Sequence, residues 1–134
     1  MSGLKRFALR VMWKKFSGLP ILELTTTGRI SGQPRSVMLA YVPDPDGFVV
    51  IASNAGAEHD PAWWRNLQAS PDALVREGRS THAVRMRQLD GDEREQAWRS
   101  AVAAFRGYAK YQTGTSRPIP VALLEKMPGG PPAT

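Results

Sequence analysis

The sequence predicts an α+β fold, mainly antiparallel β, in which six short strands close into a small barrel flanked by helices. Three observations predict it. Apolar or alternating runs of about six residues recur at hairpin spacing, which favours antiparallel pairing. The turns between them carry Gly, Pro and Asp, as in PDPDG at 43–47 and at Gly78. Two helical segments interrupt the strands without alternating with them one for one, which argues against a parallel sheet. Closure into a barrel removes the exposed edges that six short strands would otherwise leave.

Taken in order, residues 3–16, GLKRFALRVMWKKF, place Leu4, Phe7, Ala8, Val11 and Met12 on one helical face with Arg6, Arg10 and Lys14 opposite. After Gly18-Leu19-Pro20, ILELTTT reads as a strand, RSVMLAYV as a second and GFVVIAS as a third. DPAWWRNLQAS reads as a helix with Asp60 as N-cap, Pro61 at its first position and Pro71 beyond its end. DALVREG and STHAVRMRQL form a hairpin. DGDEREQAWRSAVAAF is the clearest helix: Asp90 and Glu93 have capping-box spacing, and Ala97, Trp98, Ala101, Val102 and Phe105 share a face. A short aromatic segment, GYAKYQTGTSR, precedes a last strand, PIPVALLE. The domain reading is therefore a basic amphipathic helix at 1–18, a barrel domain at 19–127 and a disordered tail at 128–134.

The 134 residues suffice for one domain. No apolar run reaches the roughly 20 residues that span a bilayer, and no secretory h-region is visible, so a cytoplasmic location is expected. With no cysteine and only His59 and His82, a thiolate nucleophile or a Cys- or His-rich metal site is excluded. Of the 18 basic residues, five lie in residues 1–22, where there is no acid. The net charge of +6 thus belongs mainly to the N-terminal arm, which speaks against nucleic-acid binding by the folded body. Two readings of the arm stay open: a helix closing one end of the barrel, or a basic amphipathic helix resting on an anionic membrane surface.

The stretch TTTGRISGQPRS, 25–36, holds two glycines, two arginines and five hydroxyls between two strands. It is neither a nucleophile elbow nor a phosphate-binding P-loop of the GK[ST] type, and no GxGxxG occurs. What it offers is close backbone approach at Gly28 and Gly32, with Ser31, Arg29 and Arg35 able to converge on an anion; a solvated hairpin loop is the plain alternative. A second loop, IASNAGAEHDPAWW, ends a strand in small residues that let a flat ring lie against the backbone. Trp63 and Trp64, adjacent on a helix, cannot point the same way, so one belongs to the core and the other can wall a cleft.

LELTTTGRISGQPRSVMLAYV, VVIASNAGAEHDPAWWRNLQASPDALV and YAKYQTGTSRPIPVALLE, in this order from Leu19 to Glu125, closely resemble the deazaflavin-dependent nitroreductases of actinobacteria. The resemblance implies an FMN-binding-like, Greek-key split β-barrel and coenzyme F420 as cofactor. It implies that Arg29, Ser31, Gln33 and Arg35 hold the cofactor's phosphate and the start of its anionic tail. By the same resemblance Ser53, Asn54, Ala55 and Gly56 lie along the deazaflavin ring with Ala62 and Trp63 beside it, and Tyr108 and Tyr111 close over the substrate. Ile30 stands where relatives commonly carry lysine, Phe105 where they carry tyrosine, Ala40 where one carries an aromatic residue and Met38 where proline is common. These departures leave cofactor binding intact and alter a substrate pocket that includes Ala40, Phe105, Tyr108 and Tyr111. The implied reaction is hydride transfer from reduced F420 to an electron-poor acceptor such as a quinone, nitroaromatic or activated alkene. Tyr108 would supply a proton or orient the acceptor, or Ser53 would instead bond the acceptor's oxygen. The alternatives are a non-catalytic deazaflavin carrier, or an FMN-using enzyme of the same barrel. Partners beyond the small-molecule acceptor are an anionic membrane surface and, as monomer or homodimer, a second copy of the chain.

Overall fold

The structure, a computed structural model, describes residues 19–128. The expected helix at 1–18 and the tail beyond Pro128 lie outside the described residues. In chain order the strands are β1 (Ile21–Thr27), β2 (Pro34–Ala40), β3 (Val42–Asp44), β4 (Gly47–Ile51), β5 (Asp72–Glu77), β6 (Ser80–Gln88) and β7 (Val121–Lys126). Three helices accompany them, α1 (Ala62–Ala69), α2 (Gly91–Ala104) and α3 (Gly107–Thr113), and a short 3-10 turn covers Asn54–Gly56.

All seven strands form one antiparallel sheet in the order β2-β1-β5-β6-β7-β4-β3. The two edge strands, β2 and β3, are neighbours in the chain and separated only by Tyr41, whose N–H donates to Pro20 O at 3.0 Å. The sheet therefore curls until its edges meet at that residue, giving the expected split barrel. The second of the six expected strands is thus two, bent at Tyr41, because one strand cannot serve both edges without breaking its own ladder.

Burial explains the two kinds of strand. β4 is buried at every position and β7 over its first four residues, because both faces are covered. Phe48, Val50, Ala52, Ala122 and Leu124 face the barrel interior, where Trp64 and Leu67 of α1 fill the space against Leu22, Leu24, Val75 and Val84. Val49, Ile51, Val121 and Leu123 face outward under α2 and α3, against Ala101, Tyr108 and Ile119. The face read from α2's periodicity packs on this second core: Ala97, Trp98, Val102 and Phe105 border it. β1 and β5, by contrast, mix buried and exposed positions, Leu24 and Val75 inward, Thr25 and Leu74 outward.

Two capping expectations are corrected. The α1 N-cap is Pro61, one residue later than expected, and Asp60 instead accepts from Arg117. Asp90 is the N-cap of α2 but makes no side-chain cap bond, and Glu93 turns away to pair with Arg87. In both cases an arginine elsewhere competes for the carboxylate, and a charged partner outbids a neutral N–H. The aromatic segment after α2 is helical, and the last strand begins at Val121 because Pro118 and Pro120 have no N–H to give a ladder.

Candidate functional site

Two clefts open side by side along the free edge of β2. The first, about 490 Å³, lies between β2 (Val37 to Ala40), the Ser53–Ala55 loop, and the aromatic side chains Trp63, Phe105, Tyr108 and Tyr111. The second, about 580 Å³, is bounded by Thr26, Gly28, Arg29, Ser31, Arg35 and Asn66. Val37 and Trp63 belong to both walls, so together the clefts make one two-lobed groove. Both tryptophans belong to the barrel core, against the expectation of one: Trp64 is 1% exposed, and Trp63, 9% exposed, also forms the waist of the groove, its ring edge-on to Trp64 at 6.3 Å.

The second lobe is built by the β1–β2 turn. Gly32 supplies the positive φ (+72°) that reverses the chain, while Gly28 serves by its lack of a side chain, since a Cβ there would sit 2.8 Å from Ser31 Oγ. The turn closes through Gly28 N–H to Gln33 O and Gly32 N–H to Gly28 O, each 2.8 Å. Ser31 Oγ accepts from Gln33 N–H and Arg35 Nη2, both at 3.1 Å, which leaves the hydroxyl hydrogen to donate outward. Arg29 is fixed differently: its own N–H and its Nη1 both donate to Asn66 Oδ1, at 3.1 and 2.9 Å. Asn66, 4% exposed on α1, is itself held by Nδ2 donating to the buried Thr26 Oγ1. Gln33 lies in the turn's framework and lines neither lobe. Ile30, at the turn's tip, is 89% exposed.

The first lobe is floored by the loop after β4. Ser53 is right-handed (φ −74°, ψ −30°) and Asn54 and Ala55 are left-handed (φ 47° and 54°), a sequence that turns successive N–H groups to one side. Gly56 N–H and Ala57 N–H close back on Ser53 O and Asn54 O, whereas the Ser53, Asn54 and Ala55 N–H groups donate to no acceptor among the described residues. Three N–H groups without an acceptor among the described residues form a ready donor site for a ligand's oxygens. Gly56 lies behind the loop; at φ +83° it packs on Tyr111, where a Cβ would meet the tyrosine Cα at 3.3 Å. Ala62 lines the second lobe, not the first beside the Ser53–Ala55 loop.

The far wall of the first lobe is aromatic. Tyr108 is 6% exposed, its ring edge-on to Phe105 at 5.0 Å and tilted to Trp98 at 6.4 Å. Burial, reinforced by neighbouring Tyr111, pushes its phenol up to about 12, so it holds its proton throughout the physiological range. Tyr111 completes the trio with Phe105 at 6.1 Å. Three of the four departures from the family pattern, Met38, Ala40 and Phe105, fall on this lobe.

The structure thus brings Arg29, Ser31, Arg35, Ala62 and Trp63 together in one lobe, and Ser53, Asn54, Ala55, Trp63, Ala40, Phe105, Tyr108 and Tyr111 in the other. Sequence reasoning missed Asn66, which anchors Arg29, and Arg117, which binds the Ser53 loop from behind. An asparagine inside a helix is a poor helix former, and that was the only available signal for Asn66. Among the described residues no cluster of three or more His, Asp or Glu could hold a metal ion, and no helix is long and apolar enough to cross a membrane.

Comparison with known proteins gives a consistent answer. The family model for F420H(2)-dependent quinone reductases matches residues 6–126. An F420H(2)-dependent quinone reductase of Mycobacterium tuberculosis is 36% identical over 111 residues, covering 80% of this chain and 74% of its own. The solved structure of an F420-H2 dependent reductase, FDR-A, superposes with a TM-score of 0.73 at 40% identity over 79% of this chain and 94% of that one. A chain described as a domain-swapped dimer gives 0.74 at 34% identity over 91% and 96%. HutZ, a haem storage protein from Vibrio cholerae, shares only the fold, with 15% identity, 96% and 93% coverage and a TM-score of 0.61. The chain belongs to the F420H(2)-dependent quinone reductase family.

Proposed function

We propose that this family member uses the two-lobed groove to hold reduced F420 and passes its hydride to a quinone in the first lobe. Family membership makes it an F420H2-dependent oxidoreductase. The observation that carries the finer reading is the division of chemistry between the lobes: unpaired amides and apolar walls in one, arginines and a hydroxyl in the other. A ligand with a flat polar-edged ring at one end and a phosphodiester at the other fits both, so the residues present suit the cofactor.

Arg29, Ser31 and Arg35 would hold the phosphate, with Asn66 keeping the Arg29 fork turned toward the lobe. The Ser53, Asn54 and Ala55 N–H groups would donate to the ring's carbonyl edge, and Trp63 would stop the ring sliding toward the arginines. When bound, the reduced deazaflavin supplies the hydride. Met38, Ala40, Phe105 and Tyr111 shape the acceptor's space and exclude water from it. With its pKa raised, Tyr108 donates a hydrogen bond to the acceptor oxygen and keeps its own proton, and the reduced acceptor takes its proton from bulk solvent as it leaves the lobe. Ser53 would be a second donor to the same oxygen.

Fluorescence titration with F420 and with FMN, followed by consumption of reduced F420 with a soluble quinone, tests this. Tight F420 binding, weak FMN binding and steady turnover are expected. Comparable affinity for both flavins would sink the cofactor reading, and binding without turnover would make the protein a carrier. We further propose a cytoplasmic homodimer whose basic segment at 1–18 touches anionic lipid; light scattering and co-sedimentation with anionic vesicles at physiological salt test each part. The five cations of that segment support the contact.

A further inference from the structure

Arg117 lies between α3 and β7 in the stretch TGTSRP, and its side chain is 12% exposed. Its guanidinium gathers four oxygens of the loop that floors the first lobe. Nη2 donates to Ser53 O at 2.8 Å, and both Nη atoms donate to Ala52 O at 3.3 Å. Nε donates to Ala57 O at 2.8 Å and Nη1 to Asp60 Oδ1 at 2.9 Å. One side chain thus spans the loop from the end of β4 to the approach of α1.

Two consequences follow from which atoms are bonded. The loop contains Asn54 and Ala55 at positive φ, a conformation that is unfavourable for any residue with a Cβ. Its own ties are few: Gly56 N–H and Ala57 N–H to backbone, and Asn54 Nδ2 to His59 O. The Arg117 bonds offset that cost from behind the cleft. Moreover, Ala52 C=O and Ser53 C=O belong to the same peptide units as the Ser53 and Asn54 N–H groups, two of the three unpaired amides at the lobe. A cation bonded to a carbonyl polarises the peptide and strengthens the N–H at its other end as a donor.

We propose that Arg117 is a positioning residue for the cofactor ring: it fixes the left-handed loop and polarises the Ser53 and Asn54 amides that face the cleft. This rests on the reading that the loop holds the deazaflavin. Asp60, bonded to the same Nη1, keeps the guanidinium from rotating toward solvent. Arginine is required over lysine, because a point charge with one nitrogen cannot reach carbonyls on both sides of the loop.

The test compares the full-length protein with Arg117→Ala and Arg117→Lys by F420 titration, melting temperature and amide hydrogen exchange without cofactor. In Arg117→Ala, F420 affinity should fall about 10- to 100-fold, the range for loss of charge-assisted hydrogen bonds. Exchange at the bonded Gly56 and Ala57 amides should rise while the β1, β5 and β6 amides keep their protection. KM for reduced F420 should rise more than kcat falls, and added ethylguanidinium should restore part of the affinity. Arg117→Lys should lie between. Unchanged affinity and unchanged local exchange in Arg117→Ala overturn the proposal, as does faster exchange spread evenly over the sheet with no rescue. If Arg117→Ala does not fold, Arg117→Lys decides: wild-type affinity together with unmoved Ser53 and Asn54 amide resonances overturns it. Failure of the wild-type protein to bind F420 would instead remove the reading beneath it.

Discussion

The two ends of the groove are built by opposite strategies. The Arg29–Arg35 turn is exposed and closes largely on itself: its backbone–backbone bonds run between residues five apart or fewer and Ser31 bonds its own neighbours, with Asn66 as its one distant anchor through Arg29 among the described residues. The Ser53–Gly56 loop carries three consecutive residues at positive φ, two of them not glycine, and is held by Arg117, more than 60 residues away. A local turn can be made by glycine and proline alone. A strained loop whose amides must stay unpaired needs support from another part of the chain, since any neighbour that relaxed it would also cap those amides.

That contrast predicts a ranking of effects. Gly56→Val should be the most damaging, because φ +83° and the contact with Tyr111 exclude a branched side chain. A stability loss of about 3 kcal/mol is expected, read as a lower melting temperature together with weakened F420 binding. A melting curve like wild type would show that the loop can rearrange without cost.

Next come the arginines of the turn. Arg29→Ala and Arg35→Ala should each weaken F420 binding by about 2 kcal/mol with little effect on stability, and the loss should shrink as salt rises because both side chains are exposed. Asn66→Ala should mimic Arg29→Ala, and the two should be non-additive in a double-mutant cycle, as they share one contact. Additive losses would mean that Asn66 does something other than hold Arg29.

Tyr108→Phe should lower kcat with a quinone by about tenfold or less, leaving F420 affinity nearly unchanged. Its phenol also gives a signed pH effect. A pKa raised in the folded state means that stability is fully present below the unfolded value, near 10, and is lost as pH rises through about 12. Wild type should therefore lose about 2–3 kcal/mol between these limits, a loss that the phenylalanine variant lacks. Alkaline denaturation series of the two proteins measure the difference. The smallest effect belongs to Ala55→Gly, which should alter stability by less than about 1 kcal/mol, because relief of the left-handed alanine is set against added chain entropy.

Much of this protein could be read before its structure. Period-two runs gave β1, β5 and β6, and Gly-rich punctuation gave the turn that carries Arg29 and Arg35. The packed face of α2 followed from its helical spacing. These are local signals, in which each residue's role depends on neighbours within one turn or one hairpin. The three family motifs likewise marked out the residues that line the groove, together with Gln33 and Gly56, which turn out to frame it.

The tertiary structure decided the rest. Whether Asp60 capped a helix or bound an arginine depended on where Arg117 arrived, and Glu93 was diverted from its N-terminus by Arg87 in the same way. The break at Tyr41 followed from closing the sheet, a constraint on all seven strands that no single strand records. Asn66 and Arg117 lie inside the family segments but were assigned no role from them; each matters through oxygens or amides brought to it from 37 to 65 residues away. Local sequence specifies dihedral preferences and apolar faces. Which buried charge meets which carbonyl is fixed only when the chain has closed, because polar side chains are satisfied by whatever partner the packing leaves within reach.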